Sequence, residues 1–285
     1  MFKRKSPVTA SAPNWRLRCS LLAGSFILLL GFLAPILIQQ DPNTQNLNAV
    51  LLPPVWQTGG SFQYPLGTTA LGENILTQLI YGTRTAILIA LGAASGCAVM
   101  GIGLGIVAGY MGGLIEKGIL LLVEFWMTFP AVILALLLVV TFSPGLLSVV
   151  IAIVLVDWTR FCRVIHAEVS ELKSREFIYV AKLMGASQLS IILRDIIPSL
   201  IPGIIMLFST EMAISVLIES TLSFIGVSVD PAQPSWGAMI AQGMDYAYAS
   251  PWLLLQPALC IVFFVLICMT FNDGMTRNVI PHKEQ

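Results

Sequence analysis

Long apolar runs separated by short polar stretches are the main feature of this sequence. The first run, Cys19 to Ile38, has no charged residue in 20 positions. A helix of about this length crosses a hydrocarbon core of roughly 30 Å. The later runs are 14 to 31 residues long. The predicted spans are residues 19–38, most of 85–115, 118–141, 145–158, 199–222 and 252–271. The pattern therefore predicts an all-α polytopic membrane protein with six transmembrane helices.

Polar stretches divide these spans into segments. Residues 39–84 are rich in Pro, Gly and Asn and predict an external loop, with a short amphipathic helix over 71–80 at the membrane surface. A five-helix core is expected over 85–272. Within it, residues 159–198 form a charged cytoplasmic loop between spans four and five, and 226–251 form a second external loop.

The second span carries glycines four residues apart in two groups. Small residues therefore recur on one face of the helix, which predicts close packing against another helix. A pore-lining role for these residues is the alternative to packing. The two groups are Gly92 and Gly96, then Gly101, Gly105 and Gly109.

The distribution of Lys and Arg sets the orientation. The formal net charge is zero, so no electrostatic argument points to nucleic acid. With the N-terminus inside, fourteen of the fifteen cations fall on the cytoplasmic side and only Arg84 lies outside. The positive-inside rule therefore predicts that the basic N-terminus, residues 1–18, and the tail, residues 273–285, are both cytoplasmic.

The cytoplasmic loop has helical periodicity on both sides of Gly185. Phe177, Val180, Ala181 and Met184 fall at i, i+3, i+4 and i+7, which predicts a helix with one apolar face. The pattern resumes after Gly185 and runs up to Pro198, so two short helices should meet at a bend. Periodicity alone favours an amphipathic connector resting on lipid headgroups.

The same loop resembles the signature of permease subunits in binding-protein-dependent ABC importers. That signature is Glu-Ala-Ala, three residues, Gly, and a Pro thirteen residues later. Tyr179, Val180, Ala181, Gly185 and Pro198 stand at those positions. Tyr179 replaces the Glu and Val180 replaces the first Ala, so a contact to the ATPase that depends on the Glu is not expected in this chain.

The resemblance covers nearly the whole chain after about residue 20. It is to the dipeptide, oligopeptide and nickel branch, and within it to the shorter second membrane subunit. One stretch departs from the usual charged run of Asp, two residues and Gly-Arg-Asp: Thr69, Gly72, Glu73 and Asn74 stand there, with Gln78 at a usual Arg. The matching segments are LLPPVW from Leu51, PLGTTALGENILTQLIYGTRTAI from Pro65, Glu124 through FPAVILAL, ESTLSFIGV from Glu219, PSWGAMI from Pro234 and FNDGMTRNV from Phe271.

This resemblance implies a multi-pass protein of the bacterial inner membrane that forms half of a solute pathway. Its partners would be membrane lipid, a second permease subunit, two cytoplasmic ATPases that bind ATP and Mg, and an extracytoplasmic solute-binding protein. The solute would be a peptide, nickel, a metal chelate or a similar small molecule. The implied ATPase-coupling residues are Tyr179, Val180, Ala181, Leu183, Met184, Gly185, Ala186 and Ser187.

No catalytic residues, metal ligands or cofactor of its own are expected in this chain. It has no GxxxxGK[ST] motif, so ATP hydrolysis must be supplied by another subunit. His166 and His282 are far apart in the sequence, and the five cysteines show neither CxxC nor metal-ligand spacing.

Acidic residues inside apolar runs are candidates for a functional role, because a carboxylate in a bilayer is tolerated chiefly at cavities or polar partners. Glu211, Ser215 and Glu219 in the fifth span are the candidate residues for the translocation pathway or gate. For Glu219, a structural hydrogen bond at the helix end is the alternative. Asp157 and Arg160, at i and i+3, predict a local ion pair.

Two alternative functions are a stand-alone transporter or channel and an intramembrane enzyme. A stand-alone secondary transporter or channel would favour inverted internal repeats or intramembrane charge pairs, and no convincing repeat is seen. An intramembrane enzyme would need a nucleophile and base or a metal constellation, and none is found.

Overall fold

The computed structural model describes residues 15–38, 40–227 and 233–279. Most of the predicted basic N-terminus and the end of the predicted tail lie outside these residues. The described residues form helices and turns, and their extended pairing is limited to two isolated β-bridges. The helices are α1 Trp15–Leu37, α2 Ile75–Met111, α3 Gly113–Met127, α4 Ala131–Phe142, α5 Leu146–Lys173, α6 Glu176–Leu183, α7 Gln188–Ile191, α8 Ile197–Phe224, α9 Trp236–Met244 and α10 Trp252–Val279, with a π-helical turn Ile192–Ile196 between α7 and α8.

The all-helical prediction is confirmed, whereas the count of six spans is not fully reproduced. By length and composition, four stretches of helix could cross a membrane: 17–36, 75–111, 188–224 and 252–276. A bent pair, α3 with α4, would make a fifth. The remaining predicted span, 145–158, is the first half of α5 and does not meet the same criteria within the described residues.

The third span is not one straight helix. α3 and α4 meet at 86°, with the break at residues 128–130. Pro130 has no N–H and disfavours a helical residue before it, which ends α3. In the last turn, Thr128 donates its N–H to Phe125 O at 3.2 Å, which closes the helix end.

Helix α2 is the centre of the bundle. It is 37 residues long and begins after Asn74, whose side chain accepts a hydrogen bond from the N–H of Leu76. The separate surface helix predicted over 71–80 is therefore wrong: residues 75–80 are the first turns of α2, and Thr77 and Gln78 are buried. Gly112 and Gly113 end the helix with φ of 72° and 64°.

The glycine face of α2 packs against α5, as predicted, in the most extensive helix contact of the chain. A Cβ on Gly105 would lie 2.9 Å from Cys162 O, and one on Gly109 would lie 2.9 Å from His166 O. Only glycine allows the two backbones to approach this closely.

The predicted loop 226–251 contains a buried helix. Trp236, at the start of α9, is buried and donates its indole N–H to Leu79 O at 3.2 Å. α9 packs between α8 and α10, so this part of the loop belongs to the core. Periodicity over so short a helix is too weak to be recognised among prolines.

Candidate functional site

The loop around Gly185 forms a helical corner of defined geometry. Gly185 follows α6 with φ +83°, and its N–H donates to Lys182 O at 3.0 Å. The N–H of Ala186 donates to Ala181 O at 3.1 Å. These two bonds form a Schellman motif, which requires a left-handed residue at this position. The predicted bend between two short helices is confirmed.

The apolar side chains of α6 do not all face the protein. Val180, Leu183 and Met184 are exposed, Met184 to 82%, and Tyr179 is exposed beside them. We call these four residues the outward face. Ile178 is fully buried, and Ala181 packs against the same core. Helical periodicity identified an apolar stripe but not what the stripe contacts.

Three isoleucines fasten this corner to the bundle. Ile178, Ile191 and Ile196 are all fully buried and pack in one cluster with side chains of α5 and α8. Two lysines, Lys173 and Lys182, lie over the ring of Tyr110 at 5.8 and 5.6 Å. The corner is therefore attached to α2, α5 and α8 together.

The predicted coupling residues divide into two kinds. The outward face presents side chains to the surface, whereas the other residues build the corner. Ser187 caps α7 by accepting a hydrogen bond from the N–H of Ser190 at 3.3 Å. The role of the whole set in ATPase coupling stays a prediction.

A polar network joins α2, α5 and α8 within the bundle. Arg160 lies 3.3 Å from Asp157 Oδ1, which confirms the predicted local pair, and 3.5 Å from Glu211 Oε2. The Cys97 thiol donates to Glu211 Oε1 at 3.8 Å. Sequence reasoning missed the Arg160–Glu211 pair, because nothing in the spacing of two distant helices reveals which residues face each other.

Glu211 and Ser215, the mid-helix candidates for the pathway, are buried within this subunit. Glu211 is 1% exposed and Ser215 is fully buried, so neither lines an open surface of the subunit. The Ser215 hydroxyl has no hydrogen-bond partner among the described residues. Their contribution to a pathway stays a prediction, and the contacts present are those of an interhelical link.

Glu219 is held by hydroxyl groups at the junction of α8 and α9. Ser223 donates to its Oε1 at 2.6 Å, and Ser220 donates to its Oε2 at 3.4 Å. Ser235, the N-cap of α9, donates to the Ser223 hydroxyl at 2.9 Å. This geometry matches the structural alternative for Glu219, and its role in gating stays a prediction.

Within the described residues, no group of three or more His, Cys, Asp or Glu side chains could hold a metal ion. Of the two histidines, only His166 lies within the described residues. His166 lies 2.7 Å from Glu116 at the end of the bundle near the loop, whereas His282 lies outside the described residues.

Comparison with known proteins assigns this arrangement of helices. The MetNI methionine ABC transporter, solved in inward-facing conformations, has a chain with the same fold at a TM-score of 0.61 and 16% identity. The match covers 72% of this chain and 98% of that chain. At this identity the likeness concerns the fold alone.

Relatives found by sequence share more residues with this chain than the MetNI chain does. The dipeptide transport system permease protein DppC of Haemophilus influenzae is 30% identical, over 94% of this chain and 92% of the relative. The di/tripeptide transport system permease protein DppC of Pseudomonas aeruginosa is 31% identical, over 90% and 86%. The peptide transport system permease protein SapC of Haemophilus influenzae is 29% identical, over 91% and 90%.

The family described as "binding-protein-dependent transport system inner membrane component" matches residues 101–284, which is more than half of the chain and includes the whole helical corner. With relatives that align along nearly the full length, the match leaves one assignment. The chain belongs to the family of inner membrane components of binding-protein-dependent transport systems.

Proposed function

We propose that this chain is the permease subunit of an ATP-driven importer, and that the outward face of α6 docks into a separate ATPase subunit. Family membership supports the class of transporter. The observation that carries the docking is the exposure of Tyr179, Val180, Leu183 and Met184 on a helix that the fully buried Ile178 anchors to the bundle. Exposed apolar patches that are rigidly supported favour a protein interface.

The supports of the corner suggest how ATPase movement reaches the membrane helices. A flexible loop would absorb a displacement, whereas a corner packed by Ile178, Ile191 and Ile196 transmits it. The displacement would reach α5 and α8 directly, since both contribute to that cluster. The glycine contact between α2 and α5 and the Arg160–Glu211 pair would then move these helices as a unit.

The orientation of the chain in the membrane follows from the proposed docking to an ATPase. The corner must lie in the cytoplasm to contact the ATPase subunit, and the positive-inside count agrees with this side. Both termini would then be cytoplasmic, and the segment 40–74 with α9 would face a solute-binding protein outside. A second permease subunit would complete the pathway against the exposed apolar helices of this chain.

For the solute we propose a peptide, because the relatives compared are named as dipeptide, di/tripeptide and peptide permeases. Nickel or a metal chelate is the second candidate, from the sequence resemblance to the wider branch. Mass spectrometry of the ligand carried by the partner solute-binding protein separates the two.

The direct test of the assembly is purification of the tagged chain in mild detergent from its native host. Copurification of an ATPase and a second, homologous permease supports the importer. A pure homo-oligomer that transports solute without nucleotide would instead support a stand-alone transporter.

A further inference from the structure

A cavity of about 300 Å³ opens at the end of the bundle opposite the helical corner. It lies between the start of α2, the end of α9 and the start of α10, whereas the corner packs near the end of α2. Gln78 at the cavity and Tyr110 at the corner are 32 residues apart on α2, which corresponds to about 48 Å. The residues lining the cavity include two carboxylates, Glu73 and Asp245, and none of them is Lys or Arg.

Glu73 is a buried carboxylate with neutral partners. It is 7% exposed, and it accepts hydrogen bonds from Thr69 Oγ1 at 2.9 Å and Gln78 Nε2 at 2.8 Å. Both bonds go to Oε2, so Oε1 receives no donor from the described residues. These residues also supply no ion pair to Glu73, although burying a carboxylate normally requires a compensating cation.

Gln78 holds this carboxylate in place. Its side chain lines the cavity and is only 5% exposed, and its Oε1 is covered by neighbouring atoms, with no hydrogen-bond partner among the described residues. The bond from its Nε2 to Glu73 fixes the orientation of the amide, because the reverse orientation would place two acceptors together. Oε1 of Glu73 is, by contrast, not covered, and a carboxylate oxygen in a cavity wall without a donor or a cation calls for a ligand that carries donors and positive charge.

The other walls decide which cation fits. Leu71, Met239 and Leu253 are apolar, and Tyr246 adds an aromatic ring. Metal ions prefer three or more oxygen, nitrogen or sulfur ligands from the protein, and no such carboxylate, His or Cys cluster exists among the described residues. An apolar wall with a carboxylate at one side suits an alkyl chain that ends in an ammonium group.

We propose that this cavity binds a small organic ammonium ion, with Oε1 of Glu73 receiving the ammonium hydrogens and Asp245 at the rim. The inference concerns binding chemistry and does not depend on the proposed transport function. It is a site in this subunit itself, separate from any solute site in a binding protein.

The test uses the full-length chain in lipid nanodiscs. The probe is n-butylammonium chloride, 1-butanol is the neutral counterpart, and KCl at equal ionic strength is the control for a simple cation. Unfolding temperature is followed against probe concentration, because a ligand that binds the folded state raises it in a saturable way.

The expected result is a saturable rise with n-butylammonium alone. E73Q and D245N should each weaken the apparent affinity by roughly tenfold, since each removes a charged acceptor. E171Q, which removes an exposed carboxylate near the helical corner, should keep wild-type affinity. Should E73Q fail to fold, D245N alone decides, because Asp245 is exposed at the rim. The proposal is overturned if KCl or 1-butanol gives the same saturable rise, if n-butylammonium gives none, or if D245N binds as well as wild type.

Discussion

The guanidinium of Arg160 lies 3.5 Å from Oε2 of Glu211, so that α5 and α8 are joined by charge inside the bundle. The same guanidinium also pairs with Asp157, one turn earlier on α5. One cation therefore serves two buried carboxylates. Its removal should affect more than the side chain itself, because both carboxylates lose their partner.

We predict that R160M lowers the free energy of unfolding by about 2 kcal/mol, below the range for a fully buried pair because Arg160 is 39% exposed. The double variant R160M/E211Q should recover part of this loss, since it removes one of the orphaned charges. Thermal unfolding in detergent measures both. E171Q breaks an exposed pair and should change stability little. An equal loss in R160M and E171Q would contradict the account.

The glycine face of α2 gives a second prediction. G105A places a Cβ 2.9 Å from both Cys162 O and Ile165 Cβ, so α2 and α5 must move apart. The unfolding temperature should fall. G103A is the matched control, because that position has nothing within 4 Å and alanine favours the helix. Equal behaviour of the two variants would mean that the close contact with α5 is not needed.

We predict that Glu168, near the helical corner, makes the stability of the folded state depend on pH. Burial raises the pKa of Glu168 above its ordinary value of 4.5, and repulsion from Glu171 adds to this rise. The folded state therefore binds this proton more tightly than the unfolded state. As pH rises from 4.5 through the raised pKa, Glu168 loses its proton and stability falls.

E168Q should therefore be more stable than wild type at about pH 8, and the gain should vanish below about pH 4, where the carboxyl is protonated in both states. Unfolding temperatures of both proteins across this range measure the difference. A gain that is the same at all pH values would show that packing, and not ionisation, causes it.

Run length and charge pattern predicted much of this fold. The apolar runs 19–38, 199–222 and 252–271 correspond to α1, α8 and α10, because the bilayer fixes the length of uncharged sequence that a spanning helix needs. The turn at Gly185 was also predicted, since glycine interrupts a regular periodicity there. These features depend on local sequence alone.

Other features depend on neighbours that the sequence does not name. Gln78 lies in the stretch 71–80 that was predicted to be a surface helix, yet the segment before α2 and the end of α9 cover it. The run 118–141 predicted one continuous span, and the 86° angle between α3 and α4 was missed. Glu211 was predicted from its cost in a bilayer, whereas its partner Arg160 depends on how α5 and α8 pack.

Gly185 tests whether the shape of the corner matters. Its Cβ position is open, so the penalty for a side chain comes from φ +83° and not from a clash. ATPase copurification should fall in the order Gly, Asn, Ala, because asparagine tolerates the left-handed region better than alanine. G118A is the control, since that position is also open and lies within α3. Full copurification with G185A would argue against a required corner.

The outward face carries the central claim. The most direct measurement is the amount of ATPase that copurifies with L183E, compared with F62E, which places the same charge on another highly exposed apolar residue. Phe62 lies in the segment before α2, at the end of the bundle away from the corner. We predict that both variants are present in the membrane at wild-type level, that L183E loses the ATPase and nucleotide-dependent uptake, and that F62E keeps both. Normal copurification and uptake with L183E would contradict the account.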